Sequence, residues 1–98
     1  MRPSKNVLLL QALGTCLRER RLELQMTQED VAGMAELDRP YVTHIESARK
    51  QPTISVLWKL SHALQLSPAE FVERIDQRHA ELRKLAARAT KRGPITSN

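Results

Sequence analysis

Apolar residues along this 98-residue chain return at helical intervals, and polar residues fill the positions between them. Leu9, Leu10, Leu13, Leu17 and Leu24 recur three, four and seven places apart, with Arg18, Glu19 and Glu23 among the residues between. That spacing predicts an amphipathic first helix over roughly 7–24. Thr27 then stands before Gln28, Glu29 and Asp30: a hydroxyl cap, acidic residues suited to the positive end of a helix, and Asp30 at the capping-box position. The second helix is short, with Val31, Ala32 and Ala35 as its apolar face and a turn over 36–38. Asp38 is the predicted cap of a third helix. Pro40 falls in its first turn, where a missing amide hydrogen costs little, and Val42 and Ile45 mark its buried side.

A polar link over 47–52 leads to Thr53 or Ser55 as the next cap and to Val56, Leu57, Leu60, Ala63 and Leu64 at helical spacing. Ser67-Pro68-Ala69-Glu70 then joins a cap, a first-position proline and a capping-box glutamate, the strongest helix start in the chain. From there Phe71, Val72, Ile75, Leu82, Leu85 and Ala86 can carry a fifth helix to about 91. Gly93-Pro94 must stop it, and 95–98 reads as a frayed tail. Five helices and no strand pattern predict an all-α fold. The chain is long enough for one small domain and short for a catalytic α/β domain with a cofactor crevice.

Composition changes the picture in only a few places. The net charge of +5 invites an anionic partner. Residues 78–98 hold six basic residues against Glu81, however, so the first 77 are neutral, ten against ten. What matters is where the charges sit: 39–59 carries Arg39, Arg49, Lys50 and Lys59 against Glu46, whereas 23–38 carries five carboxylates and no base. Cys16, alone, has no intramolecular disulfide partner, which fits a reducing cytosol. His44, His62 and His79 lack the clustering of a metal site, and neither a cofactor nor a small-molecule substrate is implied. Arg2 and Lys5 before an apolar run resemble a signal peptide, but Gln11 ends the run too soon. No segment approaches the ~18 apolar residues of a membrane span. The expectation is a soluble, cytoplasmic, nucleoid-associated protein with no membrane partner.

Two short helices joined by a three-residue turn are how a helix-turn-helix presents its second helix to a DNA groove. The packing positions are filled accordingly. Val31 and Ala35 face the core, Ala32 is small where the helices touch, Leu37 plugs the turn, and Val42 and Ile45 anchor the recognition helix. With MTQEDVA, RPYVTHIESARKQP and LWKLSHALQLSPAEF in register, the chain resembles the Cro and phage-repressor type of helix-turn-helix domain, the XRE family, from about 13 to 71. The resemblance implies a compact five-helix, lambda-repressor-like bundle with the helix-turn-helix at helices two and three. It divides the chain into a DNA-binding domain, 7–77, and a basic C-terminal helix extension and tail, 78–98. Family members commonly carry glycine where this chain has Gln25, Glu36 and Ala48. Any of these that adopts positive φ costs about 1 kcal/mol relative to glycine.

The resemblance also assigns roles. Arg21 and Glu46 match an internal ion pair tying helix one to the end of helix three, with DNA contact as the competing reading. Arg39, Pro40, Thr43 and His44 stand at the base-reading positions. Arg39 suits the two acceptors of guanine, and Pro40 and the Thr43 methyl suit a thymine methyl. For His44 an inconsequential exposed side chain is the competing reading. Thr27 and Gln28, at the start of helix two, are expected at a DNA phosphate, with Tyr41, Arg49 and Lys50 beside them. Solvation is the alternative for Gln28, Arg49 and Lys50, and simple packing for Tyr41. From the length of helix five and its apolar spacing, Phe71, Ile75, Leu82 and Leu85 are expected to present a stripe to a partner helix, most simply from a second copy, the alternative being a helix that folds back on its own domain. The basic segment 83–92 either adds phosphate attraction or solubilises.

The function implied is a sequence-specific transcriptional regulator of the small repressor or controller type, binding a two-fold operator in double-stranded DNA as a homodimer. Small family members include phage-type repressors, restriction-modification controllers and antitoxins, and all three fit these residues. The competing class is an antitoxin-like or adaptor module whose C-terminal helix binds a protein partner. The polar, basic front of helix three distinguishes them, since an adaptor has no need of it. No paired nucleophile and base suggests an enzyme.

Overall fold

The computed structural model describes residues 6–92, which form five helices and, among those residues, no strand: α1 (Val7–Glu23), α2 (Gln28–Ala35), α3 (Arg39–Glu46), α4 (Ile54–Ala63) and α5 (Pro68–Arg92). The expected stop at Gly93-Pro94, the tail over 95–98, and Arg2 and Lys5 lie outside the described residues. Each helix begins where a short polar side chain can satisfy free backbone amides. Asn6 accepts from Leu9 N, Thr27 from Asp30 N, Thr53 rather than Ser55 from Val56 N, and Ser67 from Glu70 N. Asp30 and Glu70 complete capping boxes by accepting from the Thr27 and Ser67 amides, each at 2.8 Å. Asp38 occupies the cap of α3 but makes no side-chain bond there, with proline inside the first turn.

The first four helices end alike. Gln25, Glu36, Ala48 and Gln65 all adopt left-handed backbone, φ 57°, 57°, 62° and 58°. The amide after each reaches back five residues: Met26 to Arg21, Leu37 to Ala32, Arg49 to His44 and Leu66 to Ser61, at 2.8–3.0 Å. This closure satisfies carbonyls that the helix leaves open, and glycine is its usual residue. Here non-glycine side chains fill all four positions. Met26, Leu37 and Leu66 then turn inward onto the core.

Phe71, Leu17, Ile45, Leu60 and Leu64 are the largest wholly buried side chains, and they join α1, α3, α4 and α5 round one centre. Gly14 sets how closely α1 meets the end of α3. A Cβ there would press on the Glu46 carbonyl and lie 2.8 Å from that of Ile45, both backbone atoms that cannot swing aside. α5 lies along α1 as far as Leu82, which packs on the core. Arg78 clasps Glu19 through both carboxylate oxygens, at 2.9 and 2.8 Å. From residue 83 to 90 every side chain is exposed, and the helix stands clear of the bundle.

The partner stripe expected along α5 needs correction. Phe71 is fully buried and Ile75 is 6% exposed, so both belong to this chain's own core. Leu82 is half-buried against that core, and of the four only Leu85, 57% exposed, faces outward. Leu9, expected on the buried side of α1, is 39% exposed.

Candidate nucleic-acid interface

α2, the turn over 36–38 and α3 form a rigid corner whose inner side is Val31, Ala35, Val42 and Ile45, none more than 2% exposed. At about 100° per residue, burying Val42 and Ile45 turns Pro40, Thr43, His44 and Ser47 outward, with Arg39 at the edge nearest the start of α2. Arg39 and Pro40 are exposed; Thr43 and His44 are partly so. The Arg39 guanidinium enters no hydrogen bond or ion pair among the described residues, leaving all five of its donors for a ligand. Tyr41 lies to the side, its ring packed partly against the core.

Behind this face runs a connected polar network. Arg21 Nε and Nη2 meet Glu46 Oε2 and Oε1 at 2.6 and 3.1 Å, and Nη1 donates to the Met26 carbonyl at 3.0 Å. Both side chains are largely buried, 12% and 7% exposed. Gln28 donates from Nε2 to Glu46 Oε1 at 3.1 Å and accepts from the Thr43 hydroxyl at 2.7 Å. Gln28, at the start of α2, is therefore linked directly to Thr43 on the outward face of α3 and, through Glu46, to the ion pair. Neither the Gln28–Thr43 link nor the role of Gly14 was read from the sequence. Both depend on helices meeting in space, and the only local hint is that Thr43 and Glu46, three apart, share one side of α3.

Thr27 caps α2, so its hydroxyl already accepts from Asp30 N. The α3–α4 loop folds back over the end of α3, with Arg49 N and Lys50 N both donating to the His44 carbonyl. That places Arg49 and Lys50, both exposed, beside α3. Elsewhere charges are engaged in holding the bundle: Arg20 donates from Nε to the Leu64 carbonyl at 2.9 Å and from Nη1 to Glu23 at 3.1 Å. The Cys16 thiol donates to the Arg74 carbonyl, and burial pushes its pKa up. No group of three or more potential metal ligands occurs among the described residues, and none of their helices is long and apolar enough to cross a membrane.

A helix-turn-helix family model, HTH_3, matches residues 17–71. The chain belongs to the XRE-type helix-turn-helix family of DNA-binding regulators. Among curated relatives of this XRE-type chain is an uncharacterized HTH-type transcriptional regulator of Sinorhizobium fredii, y4dJ. It is 31% identical over 65 residues, 66% of this chain and 84% of that protein. YqaF of Bacillus subtilis, of the same description, is 37% identical over 57 residues, 58% and 75% of the two chains. Among solved structures, the restriction-modification controller protein C.AhdI of Aeromonas hydrophila is 34% identical. It superimposes with a TM-score of 0.62, covering 63% of this chain and 94% of that one. The controller protein C.Esp1396I, as a tetramer on its natural 35-base-pair operator, is 33% identical with a TM-score of 0.69, covering 74% and 95%. The five-helix XRE fold also recurs in ClgR of Corynebacterium glutamicum, 24% identical, with a TM-score of 0.78 over 92% and 94% of the two chains.

Proposed function

We propose that this XRE-type protein is a transcriptional regulator of the small repressor or controller type, reading a two-fold operator in duplex DNA as a homodimer. The observation that carries the reading is the front of α3: Arg39 and Pro40 exposed and Thr43 and His44 partly so, on a helix whose other side is locked into the core. A preorganised helix of this kind enters the major groove with its N-terminal residues on base edges. Arg39 is the principal base reader, by a bidentate contact to guanine N7 and O6. Pro40, Thr43 and His44 read neighbouring edges. Thr27, Gln28, Tyr41, Arg49 and Lys50 hold phosphates and fix the register. The operator complex of C.Esp1396I supports DNA as the ligand.

For the homodimer, the face that fits a second copy adjoins the reading loop. Leu9, Ile54 and Val72, 39%, 71% and 43% exposed, rim an apolar groove of about 440 Å³ floored by Leu10, Leu13 and Leu57. Ile54 opens α4 directly after the loop that carries Arg49 and Lys50. A two-fold dimer with half-sites about one helical turn apart presents one α3 to each half-site. The extension from residue 78, though continuous with α5, is reserved for phosphate attraction or for a protein partner, with reading confined to 7–77. The protein acts by binding alone, in the cytoplasm at the nucleoid, with no catalytic step.

Selection of bound duplexes from a random library at physiological salt tests the reading. Enrichment of a two-fold motif with half-sites about one turn apart is expected. Uniform, weak, salt-sensitive retention would instead identify the exposed end of α5 as the working surface and the protein as an adaptor.

A further inference from the structure

The Thr43 hydroxyl has its single proton committed inward. The Glu46 carboxylate, gripped by Arg21 on both oxygens, has only acceptors to offer. The atom of Gln28 that meets Glu46 Oε1 at 3.1 Å must therefore be the amide nitrogen. That fixes the Gln28 amide one way round and aims its carbonyl at Thr43, 2.7 Å from Oγ1. A carbonyl cannot donate, so the hydroxyl does. Its other inward contact, the Arg39 backbone carbonyl at 3.2 Å, is an acceptor as well. A threonine hydroxyl ordinarily rotates to donate or accept as the ligand demands, which makes it a weak discriminator between bases. Here two carbonyls hold the proton, and what remains for the groove is an Oγ1 lone pair and the methyl group.

We propose that Thr43 is an acceptor-only base reader, selecting a base that carries an exocyclic amine, adenine through N6 or cytosine through N4. It disfavours guanine and thymine at that position, because their O6 and O4 would set lone pair against lone pair. Gln28 and Glu46 are the positioning residues. The preference is thus established in the chain Arg21–Glu46–Gln28–Thr43, across α1, α3 and α2, before DNA arrives. This inference rests on the DNA-reading function proposed above and specifies part of its sequence code.

The test uses the full chain and the duplex that the wild type selects, with Thr43→Val, which keeps shape but loses the lone pairs, and Thr43→Ser, which keeps the hydroxyl. The half-site position that Thr43→Val relaxes should be adenine or cytosine on the strand that residue 43 faces. Replacing that base with its amine-free counterpart, purine or 2-pyrimidinone, should weaken wild-type binding by about three- to tenfold. Thr43→Ser should show the same loss, and Thr43→Val should bind both duplexes equally. The proposal is overturned if Thr43→Val relaxes no position, the outcome if the methyl, which valine keeps, does the reading, or if it relaxes one that requires thymine or guanine. Scanning each adenine and cytosine of the half-site for amine loss with unaltered protein repeats the test without a substitution, and no position losing threefold overturns it too. A wild type that selects no duplex removes the DNA-reading function itself, a failure distinct from the others.

Discussion

Arg21 ties α1 to the end of α3. Its guanidinium holds the Glu46 carboxylate and the Met26 carbonyl, in a setting where both partners of the ion pair are largely out of water. Cutting it back to alanine strips the buried carboxylate of its charged partner and leaves it the Gln28 amide as a donor. Arg21→Ala should therefore lose about 3 kcal/mol of stability in urea unfolding followed by Trp58 fluorescence. A loss below about 0.5 kcal/mol would contradict a buried pair and place it in the class of exposed bridges. The pairing of Arg21 with Glu46 was legible because both residues lie in the stretch, 13–71, that resembles a known family and match its internal ion pair. The onward link to Gln28 and Thr43 was not. Read along the chain, Gln28 is a polar residue at a helix start and Thr43 a polar residue fifteen places later, and only packing brings their side chains together.

At the scale of the helices, local chemistry was readable and its refinements were not. Thr27 with Asp30 and Ser67 with Glu70 announce helix starts because a capping box is completed within four residues. Asp38 reads the same way and fills the cap position, yet makes no side-chain bond, since a start is decided by backbone as well as by a polar side chain. Gln25, Glu36 and Ala48 were recognisable as sites of left-handed backbone by comparison with family glycines. Gln65 closes α4 in the same fashion without such a cue. The capping boxes also predict an acid limb of stability. Asp30 and Glu70 are held below their ordinary values of 3.8 and 4.5, first by the Thr27 and Ser67 backbone amides and then by the hydroxyls. Their folded forms bind protons less readily than the unfolded chain. The stabilisation is therefore complete above the ordinary carboxyl range and is lost as pH falls through the lowered folded values. Thermal melts of the double variant Asp30→Asn, Glu70→Gln should show a flatter decline between about pH 5 and pH 3 than the wild type. Parallel curves would contradict this.

For the whole molecule, the bundle was legible and its outer surface less so. Apolar residues at helical spacing along α5 announce burial without saying against what. Phe71 and Ile75 proved to be core, whereas Leu85 continues the stripe into solvent. The same ambiguity concealed the opposite case, the exposed rim formed by Leu9, Ile54 and Val72. If a second copy covers that rim, Ile54→Glu should yield a folded monomer by sedimentation equilibrium at concentrations where the wild type is dimeric, and should weaken operator binding by at least about tenfold. An unchanged dimer would move the interface to the projecting end of α5.

The central claim is that the front of α3 reads bases, with Arg39 foremost. It is tested most directly by measuring Kd for wild type and Arg39→Ala, at one salt concentration, on the selected duplex and on duplexes with each half-site guanine replaced by 7-deazaguanine. The account predicts one guanine per half-site whose altered edge weakens the wild type by about tenfold while leaving Arg39→Ala indifferent. If Arg39→Ala keeps the wild-type preference at every guanine, with affinity reduced uniformly across sequences, Arg39 holds a phosphate and the account of how this protein reads DNA is wrong.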